Sequence, residues 1–266
     1  MPVPPRSRLI TLLTDFGARD YFVGVMKAVI HSIAPRARVI DICHGIEPYA
    51  IAPARFVLEQ SWKYCPPGTI HVCIVDPGVG GARRPLLAGA EGHFFIGPDN
   101  GLLGGVAALP RAWVRCLANP KYRLKEVSAT FHGRDVFAPA AAHLAAGVPP
   151  SRFGPLVKDP VRLETGVPLR TGKRFWQGEI AWVDRFGNLI TNFPAANFPQ
   201  IHQRPFTLKA GFAALRELTP NYASAPPGEP ILLIGSSGHL EIAVNQDSAA
   251  RKLGLALGSP VELEIP

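Results

Sequence analysis

The sequence predicts an α/β protein in two parts: an N-terminal, mostly parallel sheet flanked by helices, and a small C-terminal antiparallel β-barrel. Three observations carry this. The first half alternates strand-like apolar runs with helical periodicity, and in the second half the runs shorten and lose helical spacing. Between them lies VPPSRFGPLVKDPVRLETG, rich in Pro, Gly and charge, which sets the expected domains at 1–165 and 166–266.

The elements follow in order. RLITLLTDF reads as a buried strand. In YFVGVMKAVIHSI the residues Phe22, Val25, Met26, Val29, Ile30 and Ile33 recur at helical spacing, and ARVIDICH is a second strand. APARFVLEQSWKYC starts a helix near Pro53, and GTIHVCIVDPG is a third strand. That β-α-β-α-β order is Rossmann-like and calls for helices on both faces of a parallel sheet. Ligands of such sheets bind beyond the carboxyl ends of the strands, so Asp15 and Asp76 are expected at one edge. A further helix spans Val136 to Ala146. Beyond the boundary, RFWQGEIAWVD, NLITNF, RPFTLKA, PILLIG, HLEIAVN and PVELEIP read as short strands.

Composition narrows the function. A chain of 266 residues with 47% hydrophobic residues can bury a real core. No apolar run approaches the ~20 residues that span a bilayer, and MPVPPRSR has no apolar segment after its arginines. A cytoplasmic protein is expected. The net charge of +8 is spread thinly, without a basic run, so nucleic acid is not an expected partner. Cys43, Cys65, Cys73 and Cys116 lack C-x-x-C spacing and read as free thiols.

The chemistry concentrates in IVDPGVGGARRPL, residues 74–86. It lacks the Lys of a phosphate-binding P-loop, and its glycines do not fit G-x-G-x-x-G. By itself it is a strand ending in a glycine-rich turn. Three more polar clusters accompany it at strand ends or before helices: TDFGARDYFVG, TFHGRDVFAP and VDRFGNLITNF.

With this order and spacing the chain resembles the S-adenosyl-L-methionine hydroxide adenosyltransferases, relatives of the chlorinase and fluorinase, from about Leu9 to Pro266. The resemblance implies a larger α/β domain joined to a small barrel, a homotrimer whose sites are shared between subunits, and hydrolysis of S-adenosyl-L-methionine to adenosine and L-methionine. It matches the family's catalytic set to Asp76, Arg83 and His132, with Arg83 preferred over Arg84 because it lies seven residues after the aspartate. Asp15 matches the carboxylate on the ribose hydroxyls, Asp20 a position near the methionine ammonium, and Tyr49 an aromatic against the nucleoside. Phe131 belongs to the same substrate-binding set. Asp184 and Asn188 match contacts to the amino group and the adenine edge, Phe186 offers a ring to the base, and Ser236 matches a carboxylate-binding serine. The family more often has Asn just before that serine, where this chain has Gly235.

The chemistry is consistent with those residues. A sulfonium on ribose carbon 5′ is a good leaving group, so attack needs a positioned, desolvated nucleophile and no metal or cofactor. Asp76 or His132 can take the water proton while Arg83 holds the carboxylate, and the sequence leaves that choice open. Taken singly, the histidine reads as a cap or surface residue, Tyr49 as a core tyrosine and D-R-F-G-N as a hairpin turn. Halide as nucleophile is the near alternative, disfavoured by the charge of Asp76 and by Gly133 where the fluorinase has a halide-binding serine. A non-catalytic S-adenosyl-L-methionine or adenosine sensor would not need Asp76, Arg83 and His132 together. A metal hydrolase using Asp15, Asp76, Asp135 and His132 lacks any close ligand pair.

Overall fold

The computed structural model describes residues 9–163 and 166–266. The chain divides into two compact units, Met1–Leu163 and Glu164–Pro266. The boundary expected after residue 165 falls beside residues 164 and 165, which, like the first eight residues, lie outside the described ones.

The first unit is a six-stranded sheet with helices. Its elements are β1 (Leu9–Thr14), α1 (Phe22–Ile33), β2 (Arg38–Cys43), α2 (Ile51–Ser61), β3 (Ile70–Ile74), β4 (Pro85–Ala90), β5 (His93–Pro98), α3 (Gly104–Ala107), β6 (Trp113–Cys116) and α4 (Ala138–Ala145). The spatial order is β2-β1-β3-β5-β4-β6. β2, β1, β3 and β5 run parallel, whereas β4 runs antiparallel to both its neighbours, β5 and β6, so the sheet is mixed rather than parallel throughout. The antiparallel edge has a local cause: β4 and β5 are joined by the tight turn Glu91–Gly92, both at positive φ, and so short a link can only reverse the chain.

β1 and β3 are nearly continuous apolar runs because both faces are covered. Ile10, Leu12, Ile70, Val72 and Ile74 are essentially inaccessible and pack with Met26 and Ile30 of α1 and with the alanine-rich α4. Each such side chain contributes roughly 1.5–3 kcal/mol by leaving water. That burial fixes the strands in register, Ile10 on Ile70 through Thr14 on Ile74, and the register fixes where their carboxyl ends emerge. The helix expected from Val136 to Ala146 begins instead as a π-turn over Gly133–Phe137, before α4.

The second unit contains β7 (Leu169–Arg170), β8 (Phe175–Val183), β9 (Leu189–Pro194), β10 (Thr207–Ala210), β11 (Ala213–Leu215), β12 (Pro230–Ile234), β13 (His239–Val244), the short α5 (Ala249–Leu253) and β14 (Pro260–Glu264). The antiparallel order is β11-β10-β14-β8-β9-β13-β12, with β7 beside β8. A bridge from Leu218 to Leu232 carries the chain after β11 alongside β12, curling the sheet nearly closed, as a small barrel. Its interior holds Ile180, Leu189, Phe193, Leu208, Leu240, Ile242 and Leu263. No helix among the described residues is long and apolar enough to cross a membrane.

Candidate active site

In the first unit, parallel pairing brings the ends of β1 and β3 together. The Asp15 N–H donates to the Ile74 carbonyl at 3.3 Å, one step past the last strand residues, so Asp15 and Asp76 emerge side by side. Gly17 donates to the His44 carbonyl at 2.8 Å and thereby adds the end of β2. These ends border a cavity of about 620 Å³ lined by Asp15, Asp20, Tyr49, Asp76, Phe131 and His132 among others.

The glycine-rich turn after Asp76 exists to let two loops touch. Gly80 has φ +75, and a Cβ there would lie 2.1 Å from the Ala129 carbonyl oxygen, so only glycine lets this turn meet the loop that carries His132. Arg83 then reaches back across it. Its Nε donates to Asp76 Oδ1 at 2.9 Å, its Nη2 donates to Asp76 Oδ2, and Nη2 also lies 2.8 Å from His132 Nδ1. The pair is nearly dry, with the Arg83 and Asp76 side chains 9% and 6% exposed, and the Phe137 ring stands 5.4 Å from the guanidinium. Arg84 turns elsewhere: it binds Asp99 at 2.7 Å and both the carboxylate and the carbonyl of Asp159.

The Arg83 contact settles the proton arrangement on His132. A guanidinium can only donate, so Nδ1 must accept, and a neutral ring then carries its hydrogen on Nε2. Burial first, and the Arg83 charge second, hold the imidazole below its usual proton affinity, which keeps it neutral. His132 itself precedes the π-turn, whose second residue, Arg134, clamps the fully buried Asp135. Asp135 also accepts from the Ser128 N–H at 2.8 Å, which closes the loop on both sides of His132.

Asp15 is oriented by the backbone of Tyr49, whose N–H donates to Oδ2 at 3.0 Å. Tyr49 has φ +68, uncommon for an aromatic residue, and is 72% exposed, so the alternative of a core tyrosine is not met. Phe131 is buried in a cluster with Phe16 and Phe22 and presents only an edge of the cavity wall. His44 also lines the cavity and was not singled out from the sequence, although its place just past β2 is the signal that marked Asp15 and Asp76. Its Nδ1 lies 2.8 Å from Thr14 Oγ1, and its Nε2 lies 3.0 Å from Asp41, out of line for a hydrogen bond.

In the second unit, Asp184, Phe186, Asn188 and Ser236 border a cavity of about 1090 Å³. D-R-F-G-N is indeed the turn joining β8 to β9, with Gly187 at φ +83. Asp184 Oδ1 accepts the Phe186 and Asn188 N–H groups, each at 2.9 Å, and Oδ2 accepts the Asn188 amide at 2.8 Å. The turn therefore leaves Asn188 Oδ1 of the side chain as an acceptor and Phe186 77% exposed. Among the described residues no group of three or more His, Cys, Asp or Glu is arranged to hold a metal ion. All four cysteines are free.

The N- and C-terminal domain models of the SAM hydroxide adenosyltransferases match residues 10–154 and 178–262. The chain belongs to that family. It is 39% identical to the (R)-S-adenosyl-L-methionine hydrolase of Thermus thermophilus, over 96% of this chain and 99% of the relative. To the protein of that name from Salinispora tropica it is 38% identical, over 94% and 95%. A fluorinase of Nocardia brasiliensis is more distant, 25% identical over 98% of each chain. A solved structure of an uncharacterized conserved protein from Thermotoga maritima superposes with a TM-score of 0.89 at 35% identity, over 96% of this chain and 99% of that one.

Proposed function

We propose that the protein hydrolyses S-adenosyl-L-methionine to adenosine and L-methionine by in-line attack of water on ribose carbon 5′. The observation that carries the mechanism is the shared Arg83 guanidinium between Asp76 and His132. The names of the relatives at 38–39% identity support the substrate.

In this reading the roles of the two candidate bases separate. His132 Nδ1 is engaged by Arg83, so Nε2–H is a donor and holds the attacking oxygen. Asp76 takes two N–H bonds from Arg83 and retains lone pairs for the water, so the proton passes to Asp76. The oxygen–carbon bond forms as the carbon–sulfur bond breaks, its electron pair neutralising the sulfonium. Asp15 accepts the ribose hydroxyls, and Tyr49 and Phe131 shape the wall around the sugar. Asp20 stands at the exposed rim, where an ammonium can reach it. On the second unit, Asn188 and Phe186 serve the base, while Asp184 and Ser236 serve the amino acid.

Water fits this pocket better than halide. A carboxylate beside an incoming anion repels it. At Gly133 a Cβ would meet Phe131, Met26 and Phe16 at 3.2–3.4 Å, which leaves little room for a halide-binding side chain.

The deciding experiment is one reaction in oxygen-18 water, with products separated and weighed. Label in the 5′ hydroxyl of adenosine is expected; label in methionine, or a 5′-halogenated product when chloride is present, overturns the scheme. The proposal includes a cytoplasmic enzyme that needs no metal or cofactor, so chelator should leave the rate unchanged. It also includes a homotrimer with substrate shared between subunits. Mixing Asp76→Ala and Asn188→Ala proteins after dissociation should then restore activity, whereas a monomer by sedimentation or no recovery refutes the sharing.

A further inference from the structure

Tyr222, in the cavity of the second unit, has no role in the scheme above. It follows β11, far in sequence from the D-R-F-G-N turn, yet lines the same cavity as Asp184, Asn188 and Ser236. Its hydroxyl donates to Glu241 Oε1 at 2.7 Å. Glu241 lies on β13, only 5% exposed, a carboxylate placed where its desolvation must be offset. Space for it is made by Gly235: a Cβ there would stand 2.1 Å from Glu241 Oε2. Any larger residue at 235 pushes the carboxylate aside.

This arrangement determines what the tyrosine can offer. Burial raises the proton affinity of Glu241, the Tyr222 hydrogen bond lowers it and the Asp184 charge raises it; with the phenol as the donor, its hydrogen is committed to Glu241 and its oxygen keeps lone pairs for the cavity. Burial first, then the hydrogen bond to Glu241 and the negative charges of Glu241 and Asp184, push the Tyr222 hydroxyl up to about 12, so it stays protonated. A cationic N–H donor is the ligand group that satisfies a neutral acceptor in a negative field.

We propose that Tyr222, held by Glu241 in the space left at Gly235, is a binding residue for the α-ammonium of the substrate's amino-acid end, with Glu241 as its positioning residue. The proposal rests on the hydrolysis reading for the identity of that end. It differs from it in using side chains that the D-R-F-G-N turn does not supply.

The test measures binding of L-methionine, its deaminated analogue 4-(methylthio)butanoate, and adenosine to the full-length protein by calorimetry, beside steady-state hydrolysis. Tyr222→Phe should weaken L-methionine by about tenfold, the scale of one charge-assisted hydrogen bond. It should raise KM with kcat nearly unchanged and leave the deaminated analogue and adenosine within about twofold. Glu241→Leu, which removes the acceptor, and Gly235→Ala, which displaces it, should reproduce that pattern, because each frees the phenolic hydrogen to point at the ammonium. Unchanged L-methionine binding and KM in Tyr222→Phe, or equal losses for all three ligands, overturns the proposal. Failure of the wild type to form adenosine overturns the hydrolysis reading instead, and the L-methionine comparison still decides the Tyr222 assignment.

Discussion

Around the first cavity two polar contacts join distant parts of the chain, Asp15 to Tyr49 and Arg83 to His132, whereas in the second unit the carboxylate of D-R-F-G-N is gripped by its own turn. Asp76 is held by Arg83, and Arg83 by His132, 49 residues further on. Asp184 spends its bonds on Phe186 and Asn188, within four residues. The difference matters for chemistry. A carboxylate and an imidazole brought together by packing on a rigid sheet can be kept dry and matched in protonation, as a reacting centre needs. A carboxylate that stabilises its own hairpin shapes a binding surface and survives on a loop, because the loop carries its own hydrogen bonds.

Substitutions can break this contrast. The largest effect belongs to Asp76→Ala, which should lower kcat by roughly a hundredfold or more, the scale of a general base, with substrate affinity changed far less. Asp184→Ala should do the reverse. Loss of the three hydrogen bonds that its two oxygens accept opens the turn, so adenosine affinity should fall by about tenfold, with kcat changed less, in calorimetry and steady-state assays. If the two variants lose kcat equally, the division between reacting and binding units is wrong.

The arginine doublet sharpens the point within one turn. Arg83→Ala should cost activity of the same order as Asp76→Ala. Arg84→Ala should keep turnover within about twofold and instead lower Tm by a few degrees, since Asp99 is buried and loses its cation. Equal losses of turnover would show that the doublet acts as a unit.

Two pH effects are smaller. His132 must be neutral to accept from Arg83, and its proton affinity is lowered, so activity should persist below the ordinary imidazole value of 6.5 and fall only at more acid pH. Arg83→Ala removes the second cause of that shift and should move the acid limb upward in a kcat profile. Buried His71, bonded to Thr11 at 2.8 Å and stacked on Phe95, titrates at about 3 in the fold against an ordinary 6.5. The unfolded chain therefore binds more protons between those values, so folding stability should decline as pH falls through that window. His71→Gln should flatten the Tm-against-pH curve there.

Much of this was legible in the residues. β1, α1, β2, α2 and β3 follow from apolar periodicity, and the strand-end rule finds Asp15 and Asp76, and extends to His44. The antiparallel edge of the sheet was not legible, because β4 and β5 are apolar runs whose direction depends on a two-residue turn. The π-turn after His132 was hidden too, since HGRDVF has ordinary helical composition. Tyr222 carried no signal at all: its partner Glu241 is 19 residues away and looks like one polar position in an alternating strand.

The sequence by itself determined the two-part α/β and barrel plan, the polar clusters and the family resemblance, because hydrophobic period and turn chemistry are local and survive in one dimension. Only the tertiary structure decided that Arg83 bridges Asp76 and His132 Nδ1 while Arg84 turns to Asp99 and Asp159, and that Gly235 makes room for Glu241. Each of these depends on which groups share a few ångströms of dry space, and that is set by packing within each unit, where side chains from distant segments compete for the same hydrogen bonds.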